Sequence, residues 1–286
     1  MTIINELNLA KKLISYPSIT PKDAGIMSYL EKKLKSIGFK TKLLIFKEKN
    51  SKEVKNIYAK LGSKGHNFCF AGHVDVVPPG NLKNWSSHPF KPIIRNGKLI
   101  GRGASDMKGS IASFISAVND FVKNNKNFGG SISLLITGDE EGVAINGTKK
   151  VVDYLKKNKE KINFCIVGEP TNPLRIGEMI KIGRRGSLTG HIKIIGKMGH
   201  VAYSDDAINP STCIIDILKK LKNLKLDNGS KNFQPSNLEI TKINIDNNAD
   251  NVIPEEANAI FNIRFNDKHS SNSLKRKINN YTWRIC

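Results

Sequence analysis

The chain has 286 residues, of which 39% are hydrophobic and 25% are charged, a balance that can support a buried core. No run of about 18 apolar residues occurs, which argues against a membrane-spanning helix. The formal net charge is +21, and 38 of the 46 basic residues are lysines scattered over predicted helix surfaces. This pattern indicates the codon bias of an AT-rich genome. It leaves nucleic-acid binding as the least favoured function, although such a surface would attract anionic substrates.

The beginning of the chain and its cysteines predict a cytoplasmic protein. The segment MTIINELNLAKKLISYPSIT lacks the apolar core and cleavage site of a signal peptide. Four cysteines occur, and none belongs to a CxxC pair. Cys69 and Cys165 lie in apolar, strand-like runs, where buried and reduced thiols are expected. We therefore expect a reducing compartment and no disulfide framework.

Helices alternate with apolar strands in the first half of the chain. The predicted elements are helices at 5–15 and 22–37, strands at 40–47, 55–61 and 67–71, a helix at 107–124, a strand at 131–137, a helix at 146–158 and a strand at 163–167. This alternation is typical of an α/β sandwich. In such sheets functional residues gather where the carboxyl ends of the strands meet.

The pattern changes after about residue 180. The predicted elements are a strand at 187–195, a helix at 209–224, strands at 237–245 and 256–265, and a helix at 270–280. This order is a split βαβ unit without its final strand. The sequence thus predicts an α/β fold with two domains. Residues 1–180 form a mixed-sheet α/β/α domain, and residues 181–286 form a smaller, incomplete α+β domain of ferredoxin-like type.

Two motifs in the first half suit metal chemistry. His73 and Asp75, in GHVDVVP, follow the strand at 67–71, and an imidazole can bind zinc while its other nitrogen is held by a carboxylate. Asp106, in GRGASDMKG, stands just before a helix. It either caps that helix or bridges two metal ions with its two oxygens.

Two acidic motifs follow later strands. Glu140 and Glu141, in TGDEEG, are adjacent carboxylates, which usually lie in solvent or around a cation. Glu169, in VGEPT, ends another strand. Each motif alone is ambiguous. Together, an imidazole and carboxylates at four predicted strand ends form the pattern of hydrolytic zinc, and manganese or cobalt also fits.

In this order the four motifs resemble those of the di-zinc metallohydrolases, a family that includes carboxypeptidases, aminoacylases and amino-acid deacylases. The resemblance covers the chain to about residue 266. It implies an amidohydrolase with two Zn²⁺ ions per subunit, or Co²⁺ in their place. It further implies that His73 and Glu169 bind one ion, that Glu141 binds the other, and that Asp106 bridges them.

The same resemblance implies roles for the supporting carboxylates and for the second domain. Asp75 would orient His73, and Glu140 would be the general acid and base. The segments KIGRRGSL, GHVAY and NVIP resemble the lid and dimerisation domain of the branch that removes succinyl groups. In that branch His200 would reach the partner's site in a homodimer and stabilise the oxyanion. The implied residues for a dicarboxylate substrate are Lys181, Arg184, Ser187, Tyr203, Asn251 and Arg264, the arginines being best shaped for carboxylates.

The end of the chain departs from the family pattern. Family members return to the first domain after the lid, in a segment that carries a late histidine ligand and a glycine-rich substrate-binding stretch. Neither is found here, and His269 lies at the start of the last predicted helix instead. We therefore expect a truncated enzyme with weakened activity and unpaired sheet edges. Its origin as a fragment, an incomplete gene or a frameshift stays open.

Three alternatives remain beside a small-molecule desuccinylase. A relative that removes acetyl groups, or a dipeptidase, would share the metal motifs. A catalytically inactive remnant that only binds metal or dimerises would also retain them. The presence of Glu140 indicates an active ancestor, and it leaves the activity of this chain to experiment.

Overall fold

The computed structural model describes residues 4–282 of the chain. Its internal contacts divide the chain into two compact units, Met1–Glu178 and Met179–Cys286, called unit 1 and unit 2 below. Each unit has its own hydrophobic core and is described by itself. Over the described residues, no helix combines the length and the apolar character needed to span a bilayer.

Unit 1 is built from α-helices and strands in alternation. The helices are α1 (Glu6–Ile14), α2 (Ile26–Ile37), α3 (Gly109–Asn124) and α4 (Thr148–Lys157). The strands are β1 (Lys40–Phe46), β2 (Val54–Leu61), β3 (Asn67–His73), β4 (Ile93–Arg95), β5 (Lys98–Ile100), β6 (Ser131–Thr137) and β7 (Phe164–Val167). These elements confirm the predicted α/β class. The hairpin of β4 and β5 was not predicted, because its strands have only three residues each.

Local capping explains where the first helices begin and end. The side chain of Asn5 accepts a hydrogen bond from the backbone of Asn8, which satisfies a free donor at the start of α1. Helix α2 begins at Ile26, later than the predicted residue 22, because Gly25 before it has a left-handed backbone with φ of 89°. Gly38 ends α2 with φ of 108°, a conformation that favours glycine at helix ends.

The central sheet has five strands in the order β1-β2-β6-β3-β7. Strands β1, β2 and β6 pair antiparallel, whereas β3 runs parallel to both β6 and β7. Helices α1, α2 and α3 supply most of the core on one face, and α4 packs on a smaller cluster. The carboxyl ends of β3, β6 and β7 therefore meet at one edge of the sheet.

Strand β7 is the outermost strand of this sheet, and all four of its residues are exposed. Cys69 and Cys165 are unpaired thiols, and Cys69 is buried as expected. The expectation of a buried Cys165 is wrong, because this residue lies on the edge strand. Cys213 in unit 2 is disulfide-bonded, which the sequence analysis did not predict.

Unit 2 contains a three-stranded antiparallel sheet covered by two helices. Its strands are β8 (Gly186–Ile195), β9 (Gly199–His200), β10 (Asn237–Asn244), β11 (Val252–Ile253) and β12 (Glu256–Phe265), and its helices are α5 (Pro210–Lys222) and α6 (Ser271–Thr282). The sheet order is β10-β12-β8, and β9 pairs separately with β11. Strand β12 alternates buried and half-buried residues, as expected for a sheet with one face on the core.

A hydrogen-bonded carboxylate, Asp227, ties the loop after α5 to the end of β12. Its Oδ1 accepts from the backbone of Gly229 at 2.6 Å and from the amide of Asn266 at 2.6 Å, and the backbone of Ser236 also donates to it. His269 Nε2 lies 3.0 Å from Asp227 Oδ2. Burial raises the pKa of Asp227, but these hydrogen bonds outweigh burial and hold it well below its usual range.

We expect Asp227→Asn to destabilise the protein by about 1–3 kcal/mol at pH 7, because buried donors lose a charged acceptor. Urea unfolding would measure the change, with the exposed Asp216→Asn as a matched control expected to stay within about 0.5 kcal/mol. A carboxylate with a depressed pKa stabilises the fold at pH values above its ordinary pKa. This stabilisation is lost as pH falls. The difference should therefore shrink below about pH 4. Equal stabilities at pH 7 would contradict this role.

Candidate metal centre

Three strands deliver the predicted metal ligands to one edge of the sheet in unit 1. The parallel register places His73 opposite Thr137 of β6 and Ala71 opposite Val167 of β7. Glu140 and Glu169 follow these strands by a few residues, and a carboxylate oxygen of each lies within 4 Å of His73 Nε2. The residues that follow these strand ends therefore lie close together.

The imidazole of His73 is the centre of the cluster. It is almost fully buried, with 1% of its side chain exposed. Its Nε2 lies 3.0 Å from Asp106 Oδ1, 3.6 Å from Glu169 Oε1 and 3.9 Å from Glu140 Oε2. The Asp106 and Glu140 side chains remain 47% and 42% exposed, so the cluster opens to solvent on their side. One buried nitrogen thus faces several carboxylates around an open position.

Asp106 lies in an irregular helical turn over residues 104–108, directly before α3. The position that caps α3 is Lys108, and it provides no side-chain capping bond. Asp106 instead directs its carboxylate towards His73. Of the two roles considered for Asp106, helix capping does not occur in this structure.

Asp75 acts through two different atoms. Its backbone carbonyl lies 2.9 Å from His73 Nδ1, closer than its carboxylate Oδ1 at 3.7 Å. The carboxylate itself accepts hydrogen bonds from the backbone amides of Glu140 at 3.1 Å and Glu141 at 3.0 Å. The main hydrogen bond that fixes the ring of His73 is thus made by the backbone, and the Asp75 side chain fixes the loop that carries the two glutamates.

Crowding of acidic groups shifts the pKa values in the cluster. Burial by itself lowers the pKa of His73. The hydrogen bond to the Asp75 carbonyl and the charges of Asp75, Glu169 and Asp106 outweigh burial, so the pKa is raised. Burial raises the pKa of Glu141, and the nearby Asp106 carboxylate adds to this effect. The carboxylate charges that contribute to both shifts are ones that a bound cation would offset.

The geometry of the donor atoms fits metal ions. His73, Glu140 and Glu169 offer ligand atoms that all lie within 4.8 Å of one another, and His73, Asp106 and Glu141 form a second such group. Imidazole nitrogen and carboxylate oxygen are ligands for Zn²⁺, Co²⁺ and Mn²⁺. The four predicted metal ligands are therefore together. The predicted division between two ions, with Asp106 as bridge, stays a prediction.

Two buried charged residues beside the cluster were not predicted from the sequence. Asp139 accepts hydrogen bonds from the backbone amides of Ala144 and Asn146 and thereby closes the loop after Glu141. Lys108 is fully buried, and its Nζ donates to the Tyr16 carbonyl at 2.8 Å. Burial lowers the pKa of Lys108 to about 7, against the opposing charge of Asp75. Both residues belong to the quoted motifs, but no periodicity distinguishes them from surface charges.

The predicted residues of unit 2 form small groups on its surface. Asn251 Nδ2 lies 3.3 Å from His200 Nε2, and the ring centroid of Tyr203 lies 6.0 Å from that of His200. Arg264 is the register partner of Ser187 across β12 and β8. The remaining two, Lys181 and Arg184, are exposed residues of the segment before β8. The substrate-binding and oxyanion roles of these residues stay predictions.

Comparison with known proteins defines the class of this site. The sequence model of peptidase family M20/M25/M40 matches residues 69–280, and the chain belongs to that family. It is accordingly a hydrolase of a family with metal-dependent members. A metallo-carboxypeptidase of family M20 from Sulfolobus solfataricus shares the fold, with a TM-score of 0.76 at 17% identity over 98% of this chain and 76% of that one. A dinuclear metal binding peptidase of family M20 from Bacillus subtilis is similar, with a TM-score of 0.65 at 15% identity over 97% of this chain and 68% of that one.

More similar relatives bear one particular name. A succinyl-diaminopimelate desuccinylase of Pelagibacter ubique is 65% identical over 279 residues, which cover 98% of this chain and 73% of the relative. The protein of the same name from Rickettsia rickettsii is 50% identical over 281 residues, which cover 98% and 74% of the two chains. The branch of the family suggested by the lid segments is therefore the branch of these relatives.

We expect His73→Ala to weaken Zn²⁺ binding by about 100-fold or more, since losing even an outer partner of a ligand costs 10–100-fold. Calorimetric titration of the metal-free protein would measure the affinity. His191→Ala, which removes an exposed imidazole on β8, is the matched control and should leave the affinity unchanged. Equal affinities of the two variants would show that the metal binds elsewhere.

The affinity for Zn²⁺ should fall as pH decreases from 8 to 6. In the metal-free protein the raised pKa values of His73 and Glu141 mean that both groups retain protons at higher pH than usual. Metal must displace these protons, so binding is favoured above the pKa of His73 and opposed below it. Titrations in buffers of different ionisation enthalpy would report the released protons. A flat pH profile would contradict the assignment of His73 as a ligand.

Proposed function

We propose that this chain hydrolyses N-succinyl-LL-2,6-diaminopimelate to succinate and LL-2,6-diaminopimelate, a step in the synthesis of lysine and meso-diaminopimelate. The observation that carries the proposal is the convergence of His73, Asp106, Glu141 and Glu169 with the partly exposed carboxylate of Glu140. This arrangement occurs in a chain whose 65% identical relative bears the corresponding name. The substrate is a small molecule, and neither nucleic acid nor a membrane takes part.

We propose two Zn²⁺ ions as the resident metals, with Co²⁺ as a substitute. The residues that would hold them are His73, Asp106, Glu141 and Glu169. When bound, the ions would polarise the amide carbonyl and lower the pKa of a bound water towards neutrality. The carboxylates of Asp106, Glu141 and Glu169 around His73 support this assignment.

Glu140 is the general base and acid of the proposed reaction. Its Oε2 stands 3.9 Å from His73 Nε2, at the solvent-facing border of the cluster, and its backbone amide is fixed by Asp75. From this position the carboxylate accepts a proton from the attacking water. It returns the proton to the leaving amine when the amide bond breaks. Asp75 supports the reaction in two ways. Its carboxylate holds the loop of Glu140, and its backbone carbonyl contacts the ring of His73.

Unit 2 would bind the substrate and complete the site of a partner subunit. We propose a homodimer in which the imidazole of His200 donates to the oxyanion in the other subunit's site. The orientation of its ring is held by two contacts, because Nδ1 accepts a hydrogen bond from the Ala202 amide and Nε2 lies near Asn251. The carboxylates of the substrate would be held by Arg184 and Arg264, with Lys181, Ser187, Tyr203 and Asn251 nearby. A cytoplasmic location stays a prediction.

Glu140→Gln should lower turnover of N-succinyl-LL-2,6-diaminopimelate by roughly 10²–10⁴-fold, because the amide cannot accept the proton. Released succinate would be measured with Zn²⁺ present. Glu53→Gln, an exposed glutamate of unit 1, is the control and should retain wild-type turnover. Parallel assays with N-acetylornithine and a dipeptide decide the substrate. Preference for either of these, or no turnover by the metal-loaded wild-type chain, would overturn the proposal.

Mixing two inactive variants would test the shared site. Glu140→Gln and His200→Ala should each be nearly inactive alone. A mixed dimer contains one site with both groups intact, so equal mixing should restore about a quarter of wild-type turnover. Sedimentation would verify that the proteins are dimers. A dimer whose mixture stays inactive would contradict the role of His200 across the subunit boundary.

A further inference from the structure

Two thiols that the proposed hydrolysis does not use lie side by side in the central sheet. Cys69 of β3 and Cys165 of β7 are register partners on adjacent parallel strands. Register partners project from the same face of a sheet, and neighbouring strands are about 4.8 Å apart. This spacing lies within the Cα separation of roughly 4.4–6.8 Å that disulfides require. Each thiol donates to a backbone carbonyl, Cys69 to that of Phe70 and Cys165 to that of Ile166, and neither is in a disulfide.

The two thiols differ in access and acidity. Cys69 is fully buried, whereas Cys165 lies on the exposed edge strand. The neighbouring Cys69 thiol lowers the pKa of the Cys165 thiol to about 7, although burial opposes this shift. The neighbouring Cys165 thiol, together with burial, raises the pKa of Cys69. An exposed thiolate beside a buried thiol is the arrangement in which one sulfur meets the oxidant and the other resolves the product.

We propose that Cys69 and Cys165 form a redox modification site at which a peroxide converts the dithiol to a reversible disulfide between β3 and β7. The Cys165 thiolate attacks one oxygen of hydrogen peroxide, the O–O bond breaks, and Cys165 becomes a sulfenic acid while the hydroxide released takes up a proton to form water. The Cys69 sulfur then attacks the Cys165 sulfur. The S–O bond breaks, and the oxygen leaves as a second water with the proton of Cys69. Two thiols are oxidised, and one peroxide is reduced to two waters.

The two cysteines lie on the strands that lead to two predicted metal ligands. Cys69 lies four residues before His73 on β3, and Cys165 lies four residues before Glu169 after β7. A disulfide would therefore join the two strands that lead to these two predicted metal ligands. The register of β3 and β7 places the two residues opposite each other on adjacent strands. The inference does not depend on which substrate the metal centre hydrolyses.

Peptide mapping of the full chain tests the site. The protein is reduced with dithiothreitol, desalted, treated with a small excess of hydrogen peroxide, blocked with N-ethylmaleimide and digested without reductant. We expect a linked pair of peptides containing Cys69 and Cys165, lighter than their sum by two hydrogen atoms. The link should disappear after renewed treatment with dithiothreitol.

Single variants separate the two steps. In Cys69→Ser the sulfenic acid of Cys165 should persist and react with dimedone, because no resolving thiol remains. In Cys165→Ser the buried Cys69 should stay unoxidised under the same peroxide treatment. Unmodified thiols in the wild-type chain, oxidation of Cys165 to sulfinic acid without the link, or a link from either cysteine to a different partner would each overturn the proposal. The wild-type map decides the question even where a variant fails to fold.

Discussion

The parallel pairing of β3 with β6 on one side and β7 on the other is the constraint on which the rest of the site depends. Parallel strands end at the same edge, so each strand can contribute one or two side chains to a common point without a long loop. His73 stands at the end of β3, and the register with Thr137 of β6 fixes where the following glutamates begin. A slip of one residue would turn His73 to the opposite face of the sheet.

Gathering carboxylates at this edge opposes folding in the absence of a cation. Backbone hydrogen bonds to the buried carboxylates offset this effect. The carboxylate of Asp75 is buried but accepts two backbone hydrogen bonds from the loop of Glu140 and Glu141. Asp139 holds the other end of that loop through two more. These bonds satisfy the buried charges and fix the backbone of Glu140 and Glu141. The side chains of Glu140 and Asp106 remain partly solvated, which keeps one side of the cluster accessible.

Adjacent positions in the same sheet carry different chemistry. The ends of β3 and β7 lead to predicted metal ligands, while their middles pair two cysteines of unequal exposure. In unit 2 the core depends on β12 and its helices, and the hydrogen bonds around Asp227 join the loops at one end. The predicted substrate-binding residues lie on the surface of that unit, where side chains contribute little to the core and remain available for a ligand.

The sequence alone determined the order of the main helices and strands, the α/β class and which residues to expect in one cluster. Apolar periodicity and glycine-bounded acidic motifs are local signals, and they predicted His73, Asp106, Glu141 and Glu169 together. Only the tertiary structure decided which atom of Asp75 holds the ring of His73, that Lys108 is buried, and that Cys165 is exposed on an edge strand. These properties depend on strand order and on neighbours distant in the chain, and no pattern of nearby residues encodes them.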